Sequence, residues 1–130
     1  MQAATPALML TARILLAMIF VIAGYGKIGG YEATQQYMEA MGVPGSLLPL
    51  VILAELGGGL ALIAGVLTRL TAAALALFCI VSALLFHGNF EDQMQQILFM
   101  KNVAMAGGFL ALVAHGAGAW SVDSKLGLKF

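Results

Sequence analysis

The sequence predicts an all-α membrane protein: an antiparallel bundle of four transmembrane helices, with a short interfacial helix in the first outer loop. Of the 130 residues, 62% are hydrophobic and 9% are charged, whereas a soluble domain is about half apolar and a quarter charged. Four runs are long and apolar enough for a spanning helix, which takes about 20 residues. None of these runs alternates apolar with polar residues, and this excludes transmembrane β-strands.

The four runs form one domain over residues 1–130, because no part of the chain has the composition of a separate soluble unit. The predicted transmembrane helices are about 7–24, 47–67, 70–86 and 97–119. A bare turn at Thr68 and Arg69 joins the second helix to the third. These two helices should therefore be close antiparallel neighbours.

The two outer connections are longer and have structure of their own. In the first, "GYEATQQYMEAMGVPG", tyrosines and methionines recur at helical spacing, and Gly42 followed by Pro44 is a standard helix stop. We expect a short helix that lies in the membrane interface. In the second connection, Asn89 is the predicted N-cap of a last helix that begins before its apolar run.

The distribution of lysine and arginine predicts the orientation in the membrane. The N-terminal side, the second connection and the C-terminal tail share one face, which holds Arg13, Arg69, Lys125 and Lys129. On the opposite face, two lysines are diluted by acidic residues in the loops. We therefore expect both termini in the cytoplasm.

Charged residues inside the predicted spans are the candidate functional residues, since a charge in hydrocarbon is costly. Glu55 is the deepest, roughly 12 Å from the outer end of its helix. On three helices the charges share a stripe with small residues, which predicts charged faces turned to the bundle interior. The stripes are Arg13, Ala17, Phe20, Gly24 and Lys27 on the first helix, Glu55, Gly59, Leu62 and Arg69 on the second, and Lys101, Met105, Gly108, Leu112 and His115 on the fourth. The expected partner of Glu55 is Lys101, with Arg13 or Lys27 completing a network.

The buried polar or ligand-binding candidates are Arg13, Lys27, Glu55, His87, Lys101 and Asn102. Two simpler interpretations stay open. Lysines near helix ends can extend to the interface, and an ion pair at Glu55 can serve packing alone.

We expect no haem or metal site in this chain alone, and the sequence assigns no catalytic residue. His87 and His115 fall at opposite ends of their helices, roughly 20 Å apart in depth, so they cannot ligate one iron. No group of His, Cys and carboxylate residues has metal-ligand spacing. The single cysteine, Cys79, excludes an internal disulfide or a CxxC dithiol. A net charge of zero gives no reason to expect a nucleic-acid partner.

Blocks of sequence along nearly the whole chain resemble the DoxX family. They are "ARILLAMIFVIAGYGKIGGYEATQQYMEAMGVP", "ELGGGLALIAGVLTR", "LFHGNF", "MKNVAMAGGFLAL" and the closing "SVD". The positions that fall on the family's motifs are Arg13, Lys27, Glu55, Arg69, His87, Lys101 and Asn102. The resemblance implies a small multi-pass protein of the bacterial cytoplasmic (inner) membrane.

For function, the resemblance implies a quinone- or redox-linked accessory subunit, because the family takes its name from a subunit linked to terminal quinol oxidase and thiosulfate:quinone oxidoreductase. Quinone carbonyls need hydrogen-bond donors in an apolar cleft. The candidate donors are Lys27, Lys101, Asn102 and His87, and Glu55 is a candidate proton acceptor. With no cofactor encoded, we expect quinone as the ligand, a redox partner protein as the electron carrier, and a homo- or hetero-oligomer in the lipid bilayer.

Two alternatives come from other classes of protein. The first is a membrane assembly or scaffold protein, whose small-residue faces dock other helices. The second is a binder or transporter of small molecules.

Overall fold

The computed structural model describes residues 4–130. Its helices are α1 (Thr5–Gly29), α2 (Tyr31–Ala40), α3 (Gly45–Ala64), α4 (Thr68–Phe86), α5 (Gln93–His115) and α6 (Val122–Leu126). Helices α1, α3, α4 and α5 are each long and apolar enough to cross a membrane. No strand occurs in residues 4–130. The predicted fold class of four apolar helices is therefore confirmed.

The two ends of the bundle are called the loop end and the terminal end. The loop end holds the α1–α2–α3 connection and the α4–α5 connection. The terminal end holds the start of α1, the α3–α4 turn and the C-terminal segment after α5.

Helix α3 is not uniform along its length. It opens with a 3₁₀ turn at Gly45–Leu47, is α-helical over Leu48–Ile52, widens to a π turn at Leu53–Gly57, and is α-helical again over Gly58–Ala64. A π turn holds more residues than an α turn, and such turns are frequent at functional sites. Glu55 lies in this π turn and is 4% exposed.

Helices α1 and α3 approach closely, because glycines remove the side chains between them. A Cβ atom built on Gly24 would lie 2.9 Å from the main-chain nitrogen of Leu56. One built on Gly59 would lie 3.2 Å from the main-chain oxygen of Ala17. The contact through Gly24 places the last turns of α1 directly against the π turn.

The core joins this pair of helices to a second pair, α4 and α5. Phe20 of α1 makes edge-on contacts with Phe109 of α5, at 5.5 Å between ring centroids, and with Phe78 of α4, at 6.2 Å. Helix α5 packs along α4 and touches α1 at few points. Its buried residues are Ala106, Phe109 and Leu112. The predicted inward stripe of this helix, which ran from Lys101 to His115, is wrong at both ends, because both residues are exposed.

The connections differ from the sequence-based expectations at Asn89, at the α3–α4 turn and at the end of α5. Asn89 is not the N-cap of α5: its side chain accepts from Glu91 N, and Asp92 caps the helix by accepting from Met94 N at 2.9 Å. The α3–α4 turn precedes Thr68, which starts α4, because the chain reverses through left-handed backbone at Gly65 (φ 76°).

Helix α5 ends at His115 although its apolar run continues, since the next residue, Gly116, has φ 87°.

The first outer loop does contain a helix, α2, and Gly42 (φ 80°) follows its end. The position of α2 in a membrane interface stays a prediction.

Candidate functional site

An ion pair between α1 and α3 lies near the loop end. The Nζ atom of Lys27 is 2.5 Å from Oε1 of Glu55. The side chain of Glu55 is 5% exposed and that of Lys27 is 28% exposed. Lys27 comes one helical turn after Gly24, and the close approach at Gly24 holds that face of α1 over the π turn.

The ammonium of Lys27 is what compensates the buried carboxylate. Within residues 4–130, Oε1 of Glu55 accepts no hydrogen bond of good geometry. The negative charge of this carboxylate is therefore balanced by the ion pair with Lys27. An ionised carboxylate buried without such a partner is strongly unfavourable. The Lys27 ammonium carries three N–H donors. It can therefore hold Glu55 and still donate to a second acceptor.

Lys27 also forms part of the wall of a cleft of about 350 Å³ at the loop end. The lining comes from α1, α2, the start of α3 and the end of α4. It consists of Lys27, Thr34, Tyr37, Met38, Val43, Leu47, Val51, Phe78, Val81, Ser82, Leu85, Phe86 and His87. Most of these side chains are apolar, and a few of them carry polar groups. Clefts of this kind bind small molecules.

Aromatic rings and an imidazole shape one side of this cleft. The rings of Tyr37 and Phe86 stack at 5.6 Å with 20° between their planes. The next residue, His87, ends α4, and its Nδ1 lies 3.0 Å from Oε1 of Gln95. If Nδ1 donates this hydrogen bond, Nε2 is left as an acceptor. The cleft thus has a cation on one element and an imidazole on another.

The two sequence-predicted candidates on α5 do not line this cleft. Lys101 is exposed on α5, and Asn102 next to it is half-buried. In residues 4–130 the ion pair of Glu55 is made by Lys27, and none is made by Lys101. The preferred Glu55–Lys101 pairing is therefore wrong. The physical reason is the rotation of α5, whose inward face is set by Phe109 and its neighbours.

Arg13 belongs to a separate polar cluster at the terminal end. Its guanidinium is fully buried and donates to the main-chain oxygens of Leu62, at 3.0 Å, and Trp120, at 2.5 Å. Roughly 21 Å of helix separate it from Lys27. Of the two residues expected to complete a network with Glu55, Lys27 pairs with it, and Arg13 does not. Arg13 ties the end of α3 to the C-terminal segment.

Asp123 completes this terminal cluster, and the sequence-based candidates did not include it. Its carboxylate accepts from Leu67 N at 2.7 Å and from Thr68 N at 2.8 Å, which caps the start of α4. Ser121 caps α6 by accepting from Ser124 N. The "SVD" stretch has the form of a helix N-cap, and this is the signal that could have marked it.

The comparisons with known proteins agree with this architecture. The DoxX family model matches residues 8–88. The chain belongs to the DoxX family. The match spans most of α1 and all of α2, α3 and α4, so every residue that lines the loop-end cleft lies inside it.

Several relatives are similar over most of their length. The chain is 55% identical to the inner membrane protein YqjF of Escherichia coli (strain K12), over 93% of each chain. It is 35% identical to the inner membrane protein YphA of the same organism, over 95% of this chain and 93% of YphA. It is 30% identical to the "Putative oxidoreductase CatD" of Bacillus subtilis (strain 168), over 79% of this chain and 82% of CatD. No solved structure matches the chain.

The family, these relatives and four apolar helices make this an inner-membrane protein. The location of its termini stays a prediction.

Proposed function

We propose that this DoxX-family protein binds a quinone-like aromatic compound in the loop-end cleft, as an accessory subunit of a membrane redox system. The observation that carries the proposal is the cleft itself: a mostly apolar space whose lining includes Lys27 of α1 and His87 at the end of α4. The name of CatD, which includes "oxidoreductase", supports a redox link.

The residues present fit such a ligand. About 350 Å³ is near the lower end of the ~300–1,000 Å³ range of ligand clefts, so a single substituted ring suits it. The stacked Tyr37 and Phe86 offer an aromatic surface for ring contacts. Lys27 is a charged donor for a carbonyl oxygen, and such hydrogen bonds are the stronger ones.

Each residue then has a distinct role. A quinone, when bound, supplies the electron-accepting chemistry. Lys27 would bind a carbonyl oxygen of the ring, and Glu55 holds the lysine in position and keeps its charge paired. His87 would face a second polar group of the ligand and is oriented by Gln95. A partner protein would deliver or remove the electrons.

The experiment is direct binding to the purified protein. Protein extracted in mild detergent is analysed by mass spectrometry for co-purified quinone, and then titrated with a short-tail benzoquinone. A hydrogen bond to a charged group contributes about 1.5–3 kcal/mol, so Lys27→Met should weaken binding roughly 10- to 100-fold. His87→Leu should weaken it as well.

The matched control is Lys101→Met, which removes a lysine that does not line the cleft. It should bind like the wild type. The proposal fails if Lys27→Met binds as tightly as the wild type, or if Lys101→Met loses as much affinity. Equal affinity for a phenol that cannot be reduced would favour a small-molecule binder without a redox role. Binding of neither compound, with stable association to another membrane protein, would favour a scaffold.

A further inference from the structure

We propose that the terminal end of the bundle holds a specific site for the phosphate headgroup of an anionic phospholipid. The site is a second, polar cavity of about 230 Å³, far from the loop-end cleft. Among its lining residues are the cations Arg69 and Lys129 and one acidic residue, Asp123, together with His115 and Ser124. The proposal does not depend on the function assigned to the loop-end cleft.

Arg69 is held in place at the wall of this cavity. One of its terminal nitrogens donates to the main-chain oxygen of His115 at 3.2 Å. Its guanidinium packs against Gly116, where an added Cβ would lie 3.0 Å from Nε. A guanidinium carries five N–H donors in a rigid fork that suits phosphate. Anchoring through one of them leaves a preorganised donor surface for an anion.

The hydrogen-bond acceptors at this end already have donors within the protein. Both carboxylate oxygens of Asp123 accept N–H groups at the start of α4. The main-chain oxygen of Phe130 accepts from Leu70 N at 2.6 Å. At the end of α5, the oxygen of His115 is taken by Arg69, and that of Leu112 by Gly116 N. Asp123 keeps its negative charge but is 5% exposed, whereas Arg69 and Lys129 are exposed, so the accessible charges of the lining are positive.

The rim of the cavity indicates a lipid rather than a free anion. Leu70 is 58% exposed and Phe130 is 57% exposed, and the hydrogen bond between their main chains puts the two residues side by side. Cations next to exposed apolar side chains are typical of segments that lie at the membrane interface. A phospholipid places a phosphate among the cations and its acyl chains along the apolar rim. Inorganic phosphate would use only the first of these features.

The test compares lipid binding by the detergent-purified protein and two variants, using native mass spectrometry. The lipids are phosphatidylglycerol and phosphatidylcholine, and inorganic phosphate is a separate competitor. A basic residue near an anionic surface contributes roughly fivefold in affinity. Lys129→Gln should lose about fivefold for phosphatidylglycerol, and Arg69→Gln with Lys129→Gln about 25-fold. Affinity for phosphatidylcholine should not change.

Lys129→Gln by itself keeps the test interpretable if the double variant is unstable, because Lys129 makes no hydrogen bond or ion pair within residues 4–130. Lys101→Gln is the control for overall charge, since it removes an exposed cation from the other half of the bundle. The proposal is overturned by equal affinity of the wild type for the two lipids, or by an equal loss in Lys101→Gln. Competition by inorganic phosphate at the same concentration as the lipid would show a free-anion site instead.

Discussion

The two single variants that break the Lys27–Glu55 pair should lose very different amounts of unfolding free energy, because the two side chains are buried to different degrees. In Lys27→Met, a carboxylate that is 5% exposed loses its cation. Breaking a buried pair in this way costs about 3–5 kcal/mol. In Glu55→Gln, the lysine that remains is 28% exposed and lies in the last turn of α1, so its ammonium is much less buried than the carboxylate. That loss should be closer to the ~1 kcal/mol of an accessible pair.

The double variant that combines Lys27→Met with Glu55→Gln should be much more stable than the sum of the two single losses predicts. It removes both charges, and replacing a whole buried pair is often nearly neutral. If the double variant loses about 1 kcal/mol, the coupling energy is about 3–5 kcal/mol in favour of the double variant. The free energy of unfolding can be measured by titrating the protein in mixed micelles with dodecyl sulfate and following helix content by circular dichroism.

The control cycle combines Glu55→Gln with Lys101→Met. These two side chains form no ion pair, so their losses should add within about 0.5 kcal/mol. The Lys27–Glu55 ion pair is refuted if the losses at Lys27 and Glu55 are additive. It is refuted equally if the coupling is found between Glu55 and Lys101.

Three further predictions test other parts of the structure. Cysteines introduced at Gly30 and Gln93, at the loop end, should react with an impermeant thiol reagent in whole cells; labelling only in inverted vesicles would contradict the predicted orientation. Asp123→Ala removes two charge-assisted acceptors from the start of α4 and should cost about 3 kcal/mol in unfolding free energy, with Asp123→Asn losing less. Gly24→Ala should cost about 1–3 kcal/mol by pushing α1 from the π turn, whereas Gly107→Ala, where an added Cβ has nothing within 4 Å, should leave stability unchanged or raise it; equal losses would argue against the close approach.

The sequence was sufficient to predict the four apolar helices and the inward face of α1. Composition and run length determine spanning helices because a bilayer requires a nearly fixed length of apolar chain. In the predicted α1 stripe of Arg13, Ala17, Phe20, Gly24 and Lys27, the first four are the buried residues of that helix, and Lys27 is half-buried. A regular α-helix keeps its phase over 25 residues, so spacing alone identifies the face.

Helical phase was insufficient where tertiary packing decides the outcome. The inward face of α5 depends on which neighbour it packs against, and Phe109 in the aromatic core turns Lys101 outward. The partner of Glu55 depends on the close approach of α1 at Gly24. Neither depends on spacing within one helix.

The terminal cluster shows a second limit of sequence reasoning. Arg13 and Asp123 lie at nearly opposite ends of the chain, and both serve main-chain groups around the α3–α4 turn. A buried arginine in a span is expected to face an acid or a ligand. Here it satisfies carbonyl oxygens that a helix end leaves open, which requires knowing where α3 ends.

The separation of the two polar regions bears on the functions that the sequence left open. Transport through one copy of the chain would need a polar path between the loop end and the terminal end. Between Lys27 and Arg13, the inward face of α1 carries Phe20 and Ala17, which are 5% and 0% exposed. Phe109, which is fully buried, packs edge-on against Phe20. A substrate or proton that reaches the loop-end cleft therefore meets an apolar layer before the other side of the bundle. This arrangement favours the proposed site, which binds and releases its ligand at the loop end, and it would confine any transport to the space between copies of the chain.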